Sequence, residues 1–352
     1  MKTKNILKAL TASLLGLSLL TSCANTSKEP GTVTGNDGND GKELKVLRVA
    51  HMTGSPDQYA GFIGTEEGIF EKHGISLEET EFAWGINTID SVLTGTADTG
   101  DLADFAAVNR FGNTLANNTL VIFSDQSQGS KAKLGGIYVA PQYANDINAL
   151  DGSEGWITSI GTVTEYYNWQ AQTYLGLDPD KQKSVNTDSI STSIAAAHSG
   201  NASAVVATGA QGEKYENEGW VKVAELSEAG ISVSDYLITT RDFAEKNTEL
   251  LSNYIKALSE SVDFINANLD ESASKISAKF GVDADIFKQD WEQRILKYGL
   301  TEENAAHLDS INNWAFEHGK FPESYNVRQF YFDGAAKLAL PENVTVDLSS
   351  VN

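Results

Sequence analysis

The sequence predicts an α/β fold in two units with a helical C-terminal part. Strand-like and helix-like segments alternate from Leu44 to Thr239, at lengths that suit a parallel sheet covered by helices. The chain has 352 residues, a length that commonly divides into two domains. From Phe243 onward, apolar residues recur at helical spacing: Leu250, Leu251, Tyr254, Ile255, Leu258, Val262 and Ile265, then Ile276, Phe280, Ile286 and Trp291.

The order begins with a leader. Lys2, Lys4 and Lys8 precede an apolar run from Ala9 to Leu20, which is shorter than the roughly 20 residues that span a bilayer and reads as an export signal. Leu20-Thr21-Ser22-Cys23 resembles a bacterial lipobox, with residues 1–22 removed and Cys23 lipidated. Acyl chains would hold the protein at a membrane surface without spanning it. Residues 23–43 then read as anchor and flexible linker: Ala24 to Lys42 is rich in Gly, Asn and Asp and has no aromatic residue.

In the first unit, Leu44–Val49 is a strand, Gln58–Phe70 a helix ending near Gly74, and Ile75–Phe82 a second strand feeding Ala83-Trp84-Gly85. Thr88–Leu93 is a short helix, Thr96–Asp101 a strand end and turn, and Leu102–Phe111 a helix. Strands follow at Leu120–Ser124, Gly135–Ala140 and Trp156–Gly161, then a helix over Glu165–Leu175. Lys181–Val185 is a weaker strand, Ser191–Ser199 a helix, and Ala204–Ala207, Trp220–Ala224 and Tyr236–Thr239 complete the strands.

Charge and cysteine usage narrow the function. The formal net charge of -22 argues against nucleic acid and against a polybasic membrane grip, and it becomes more negative once the leader lysines leave. Cys23 is the chain's one cysteine, so no intrachain disulfide forms and stability rests on packing. No nucleophile with a base, no phosphate-cradling glycine loop and no paired metal histidines stand out. The expectation is a non-enzyme without cofactor or metal.

Several segments resemble one family. Glu66-Glu67-Gly68-Ile69-Phe70-Glu71-Lys72-His73-Gly74-Ile75 is similar to the early stretch of the nitrate/sulfonate/taurine-type solute-binding proteins of ABC importers, a family that includes binders of thiamine-precursor pyrimidines. Leu93–Gly100, Ile160-Gly161-Thr162 with Tyr174–Leu177, and Ala195–Ala204 resemble its later elements, with Ser203 where the family has an aspartate. The resemblance implies a two-lobed periplasmic-binding-protein fold of type II. Lobe 1 would comprise residues 44–128 and 240–352, lobe 2 residues 129–239, with hinge crossings near 124–135 and 236–241. It also implies an importer permease and ATPase as partners, an extracytoplasmic location and a monomer. It further gives Asp98 a structural role at a strand end.

Ligands of open α/β sheets collect beyond the carboxyl ends of strands. That rule selects Thr53 and Gly54, Trp84 and Gly85, Asp101, and the segment Thr162, Thr164, Tyr166 and Tyr167, with Thr208 ending a later strand. Thr162 and Thr164 either present a helix N-terminus to an oxyanion or simply cap the helix. Asp101 either accepts from a ligand amine or caps the helix after it. Trp84 leans into the cleft or fills core, and only one of the consecutive Tyr166 and Tyr167 can face the ligand. These features together favour a small organic oxyanion such as taurine or an aliphatic sulfonate. A pyrimidine or related heterocycle is the alternative, nitrate is less favoured, and an exported enzyme on the same fold ranks lower.

Overall fold

The computed structural model describes residues 43–127, 135–207 and 210–351, together with the strand Thr32–Thr34. The readings placed on residues 1–22, on Cys23, on most of the linker and on Thr208 lie outside the described residues. Within the linker, Thr32–Thr34 is a strand, β1, pairing antiparallel with the next one, as its β-branched Thr-Val-Thr sequence favours.

The chain continues through β2 (Glu43–Met52), α1 (Pro56–Glu66), α2 (Ile69–Lys72), β3 (Ile75–Phe82), α3 (Gly85–Leu93), β4 (Thr99–Ala103), α4 (Asp104–Thr114) and β5 (Leu120–Ser127). It then builds β6 (Gly136–Val139), β7 (Trp156–Thr158), α5 (Val163–Tyr174), β8 (Ser184–Asn186), α6 (Ile190–His198), β9 (Ala204–Ala207), α7 (Ala210–Asn217) and β10 (Val221–Glu225). It returns as β11 (Asp235–Thr240), α8 (Arg241–Lys246), α9 (Thr248–Ala267), α10 (Leu269–Phe280), α11 (Ala284–Gln293), β12 (Leu296–Gly299), α12 (Glu302–Glu317) and α13 (Gly334–Ala339).

Two sheets result. One has seven strands, ordered β1-β2-β4-β11-β5-β12 with β3 on β2; the other has five, ordered β10-β6-β9-β7-β8. Each sheet with its helices forms a lobe, and the chain changes sheets between β5 and β6 and again between β10 and β11. The sheets are mixed rather than parallel. β2 pairs parallel with β3 and β4, whereas β11 runs antiparallel to both β4 and β5. β12 lies in a stretch whose sequence reads as almost entirely helical. No helix of the described residues is long and apolar enough to cross a membrane.

Local chemistry shifts several boundaries. Ser55 precedes Pro56 at the start of α1, where the missing proline N–H costs nothing. The helix expected to run to Phe70 stops at Glu66 because Gly68, at φ 68°, turns the chain before α2. α4 begins at Asp104 rather than Leu102, so Asp101 lies inside β4 and caps nothing. Asp98 is buried and accepts from the Arg48 backbone N–H (2.9 Å) and from Arg48 Nε (3.1 Å), which locks β2 to the turn before β4.

The core of the larger lobe joins Leu47, Val49, Ile63, Phe70 and Phe123 to Tyr254, Ile255 and Leu258 of α9. α1 reaches α9 through Gly64, where a Cβ would fall inside the Ser261 hydroxyl and the Phe70 ring. Gly64→Ala should therefore destabilise the protein by about 1–3 kcal/mol despite alanine's better helix propensity. Urea unfolding of the ligand-free variant checks this; an unchanged midpoint would show that α1 and α9 have room for a methyl group at this crossing.

Candidate functional site

Between the lobes lies a cleft of about 270 Å³. The carboxyl ends of three strands of the larger lobe supply one wall: Thr53 and Gly54 after β2, Ala83 and Trp84 after β3, and Ala103 at the end of β4. Val163 and Tyr167 of α5, Ile190 of α6 and Lys214 of α7 face them from the smaller lobe. The third wall is α11 and its flanks, with Phe287, Asp290, Trp291 and Arg294 opposite Tyr59. Strand ends feeding one crevice is the arrangement expected of an open α/β sheet.

The turn at Thr53–Ser55 is built for its place. Gly54 adopts φ 80°, and its N–H donates to Gln58 Oε1 at 2.7 Å, one helical turn ahead. The Thr53 hydroxyl donates to Glu81 (2.7 Å) across the β2–β3 edge. Asp283 accepts from the backbone N–H groups of Asp285 and Ile286, fixing the start of α11. That helix delivers Phe287 and Trp291 on one face and ends at Arg294. Tyr59 meets Phe287 edge to face, centroids 5.2 Å apart at 85°, and Phe287 tilts against Trp291 at 32°.

Of the residues singled out in the sequence, Thr53, Gly54, Trp84 and Tyr167 line this cleft together. Trp84 is half-buried, and its indole N–H donates to the Asp188 carbonyl of the other lobe at 2.7 Å. Tyr167 is fully buried, and its hydroxyl donates to Asp104 (3.1 Å), which also bonds His307 Nε2 at 2.7 Å. Tyr166 turns away to pack on Phe105 and Trp314, so Tyr167 is the one facing the cleft. Gly85 is buried beneath it, against Leu102 and Met52.

Thr162 and Thr164 close the helix start instead of presenting hydroxyls to the cleft. Thr162 Oγ1 donates to the Ser159 carbonyl at 2.7 Å and receives the Thr164 N–H, while Thr164 Oγ1 takes the Ser159 N–H at 2.8 Å. The Gly161 N–H is taken by Glu165 Oε1. The Thr162 and Thr164 hydroxyls are thus held by hydrogen bonds within this helix start, and neither residue lines the cleft.

Asp101 is likewise no cleft residue. It is fully buried and accepts the Met52 N–H at 2.7 Å from beneath the Thr53–Ser55 turn. Beside it His51 bonds Asp57 through Nδ1 (2.6 Å) and Glu79 through Nε2 (3.0 Å). An imidazole with a carboxylate on each nitrogen is an imidazolium. Burial pushes its pKa down, but the Asp57 and Glu79 charges and hydrogen bonds outweigh that and hold it at about 10. Burial, and then the Asp57 charge, push Asp101 well above the usual carboxylate range. These groups brace the floor of the cleft.

The lining residues not singled out in the sequence include the aromatic Tyr59, Phe287 and Trp291 and, more consequentially, charged ones. Arg294 is half-buried on the cleft wall, and its guanidinium makes no hydrogen bond or ion pair with another described residue. Lys214 is exposed at the rim. Asp235 begins β11 at the crossing between the lobes. The one available signal was Gln293-Arg294 closing an amphipathic segment, but a basic residue at a helix end also suits the helix dipole and reveals no ligand.

No protein-family model matches the chain, and no curated protein matches it by sequence. Solved structures do match. The periplasmic aliphatic sulphonate binding protein SsuA from Escherichia coli superposes with a TM-score of 0.69 at 17% identity, over 81% of this chain and 96% of its own. The alkanesulfonate-binding protein SsuA from Xanthomonas axonopodis pv. citri, bound to MOPS, gives 0.69 at 11% identity, over 82% and 98%. The periplasmic nitrate-binding protein NrtA from Synechocystis PCC 6803 gives 0.66 at 13% identity, over 84% and 89%. Two mixed sheets, two crossings and an interlobe cleft, in a chain that matches these three along most of its length, are the fold of the periplasmic solute-binding proteins.

Proposed function

We propose that this chain is the extracytoplasmic solute-binding component of an ABC importer and captures a small organic oxyanion, such as taurine or an aliphatic sulfonate, between its lobes. The observation that carries this reading is Arg294, a guanidinium directed at the cleft with no carboxylate on it among the described residues. In a protein with a formal net charge of -22, a half-buried arginine left without an ion pair is a ready anion partner, and its planar fork suits oxyanions. The surrounding Tyr59, Phe287, Trp291 and Val163 fit an organic body rather than nitrate alone.

The same aromatic residues weigh against a flat heterocycle. A pyrimidine would be held by parallel faces, whereas these rings meet at 85° and 32°. The larger lobe, whose sheet takes in β11 (Asp235–Thr240), would move as one body against the smaller lobe, so the boundary expected at 239/240 falls before Asp235. Cys23 would tether the whole to the outer face of the cytoplasmic membrane, or to a periplasm-facing surface where there are two membranes. The permease and ATPase would be its partners, and the chain would act as a monomer. Calorimetric titration with taurine, alkanesulfonates, nitrate and pyrimidines tests the ligand class. Tight binding of a pyrimidine, with none of any sulfonate, would refute it. Intact-mass analysis of membrane-extracted protein tests the anchor, and an unmodified Cys23 would remove it.

Closure has its own handle in the Trp84 bond to Asp188. Trp84→Phe keeps a ring in the cleft but removes the N–H that joins the lobes. The ligand-free variant should have a larger radius of gyration by small-angle scattering and should bind its sulfonate about 0.5–1.5 kcal/mol more weakly, the value of one net hydrogen bond. An unchanged radius together with unchanged affinity would mean that this contact does not hold the lobes together.

A further inference from the structure

The cleft contains an acid as well as a base. Asp235 is 6% exposed and lines the cavity at the point where the chain returns to the larger lobe. Its backbone N–H donates to Ser127 Oγ at 3.1 Å, but its carboxylate makes no hydrogen bond or ion pair with any described residue. A carboxyl this deep in a protein is ordinarily satisfied, because leaving it without partners costs free energy.

The groups that act on it are few. Arg294 approaches from the end of α11 and lowers its pKa; Asp104 at the head of α4 and Asp57 in α1 raise it. The Tyr167 phenol of α5 and the Tyr298 phenol of β12 also feel its charge. Arg294 is the natural partner, yet the two stop short of an ion pair. Opposite charges that line one cavity without closing on each other leave a gap that suits a molecule carrying the complementary pair.

We infer that Asp235 is a ligand contact that accepts from a protonated nitrogen, so the cleft selects oxyanions that also carry an ammonium group over anions of the same shape without one. The inference rests on the oxyanion reading of Arg294 and adds the residue that sets specificity. It moves the amine-recognising role expected of Asp101 to a different carboxylate. Burial, opposed by Arg294, holds Asp235 at about 7 when the cleft is empty. An ammonium group beside it would stabilise the ionised form.

The test is calorimetry on the full chain with pairs of anions that differ by ammonium for methyl: taurine against 1-propanesulfonate, and β-alanine against butyrate. In the parent protein the ammonium member of at least one pair should bind about 10- to 100-fold more tightly, the range of a hydrogen bond to a charged group. Asp235→Asn should lose that advantage while binding the methyl member within about threefold of the parent. Equal binding within each pair would overturn the inference and leave Arg294 as an anion site, as would an Asp235→Asn variant that still prefers the ammonium member. Failure of all four compounds to bind would overturn both readings. The parent comparison needs no variant, so it stands even where the substitution harms folding.

Discussion

Arg294→Gln should reduce oxyanion affinity by about 2–4 kcal/mol, roughly 30- to 1000-fold in Kd, because it removes the half-buried charge-assisted donor on the cleft wall. Glutamine retains polarity and most of the length, so the loss would report the charge and the bidentate fork rather than bulk. The variant should unfold at the same urea concentration as the parent, since Arg294 makes no ion pair with a described residue whose loss would weaken the fold. Arg294→Lys separates charge from geometry: recovery of only part of the affinity would show that the planar fork matters. Calorimetry with taurine and 1-propanesulfonate reads all three proteins. Parent-like binding by Arg294→Gln would move the anion site elsewhere, with Lys214 the next candidate at the rim.

The prediction also shows what kind of information the chain displays in one dimension. The α/β class was legible because α9 follows its apolar stripe and β3 spans the alternating segment Ile75–Phe82, although burial along β3 fades toward its exposed centre rather than alternating. Strand direction was not legible. β11 pairs antiparallel with two strands that lie far away in sequence, and nothing local to Asp235–Thr240 encodes the choice. β12 escaped because four residues between two helices, only two of them buried, show no pattern.

The site divides along the same line. Thr53, Gly54 and Trp84 were found because they follow strands, and a strand's carboxyl end marks a cleft whatever the partner strands are. Arg294 and Asp235 were missed because their role depends on distant elements meeting. One ends a helix and the other begins a strand, and both positions have ordinary local explanations. The same ambiguity misplaced Asp101. In a strand where Thr99, Gly100, Asp101 and Leu102 are all buried, a polar residue gives no alternation, and an aspartate before a helix resembles a cap. Thr162 had the opposite fate, since the bland explanation of capping is what its hydrogen bonds satisfy.

Asp101 has its consequence in stability rather than in binding. His51→Ala should cost about 3–5 kcal/mol in the ligand-free protein, because it leaves Asp57 buried without its counter-charge. Asp101→Asn should cost less than about 1 kcal/mol, even though both residues are fully buried in one network. The reason is the proton. Asp57 Oδ1 and Asp101 Oδ2 have no hydrogen-bond partner among the described residues, and the two carboxyl groups lie close enough for a proton on Asp101 to reach Asp57. An asparagine reproduces that neutral acid, with its carbonyl accepting the Met52 N–H and its amide donating to Asp57.

The pH dependence separates the roles. His51 has a folded pKa raised from 6.5 to about 10, so its contribution is complete below about pH 6.5 and is lost as pH rises through 10. Asp57 is lowered from 3.8, its burial outweighed by His51, so its contribution is present above that value and is lost in acid. Asp101 is raised above 3.8, so holding its proton weakens the parent as pH climbs from about 4, a penalty that asparagine does not carry. Urea midpoints measured from pH 4 to 10 should show Asp101→Asn gaining on the parent as pH rises, and His51→Ala losing most of the parent's decline above pH 6.5. An Asp101→Asn variant destabilised as severely as His51→Ala would show that Asp101 is ionised in the folded protein, and that the floor of the cleft is held by charge rather than by a shared proton.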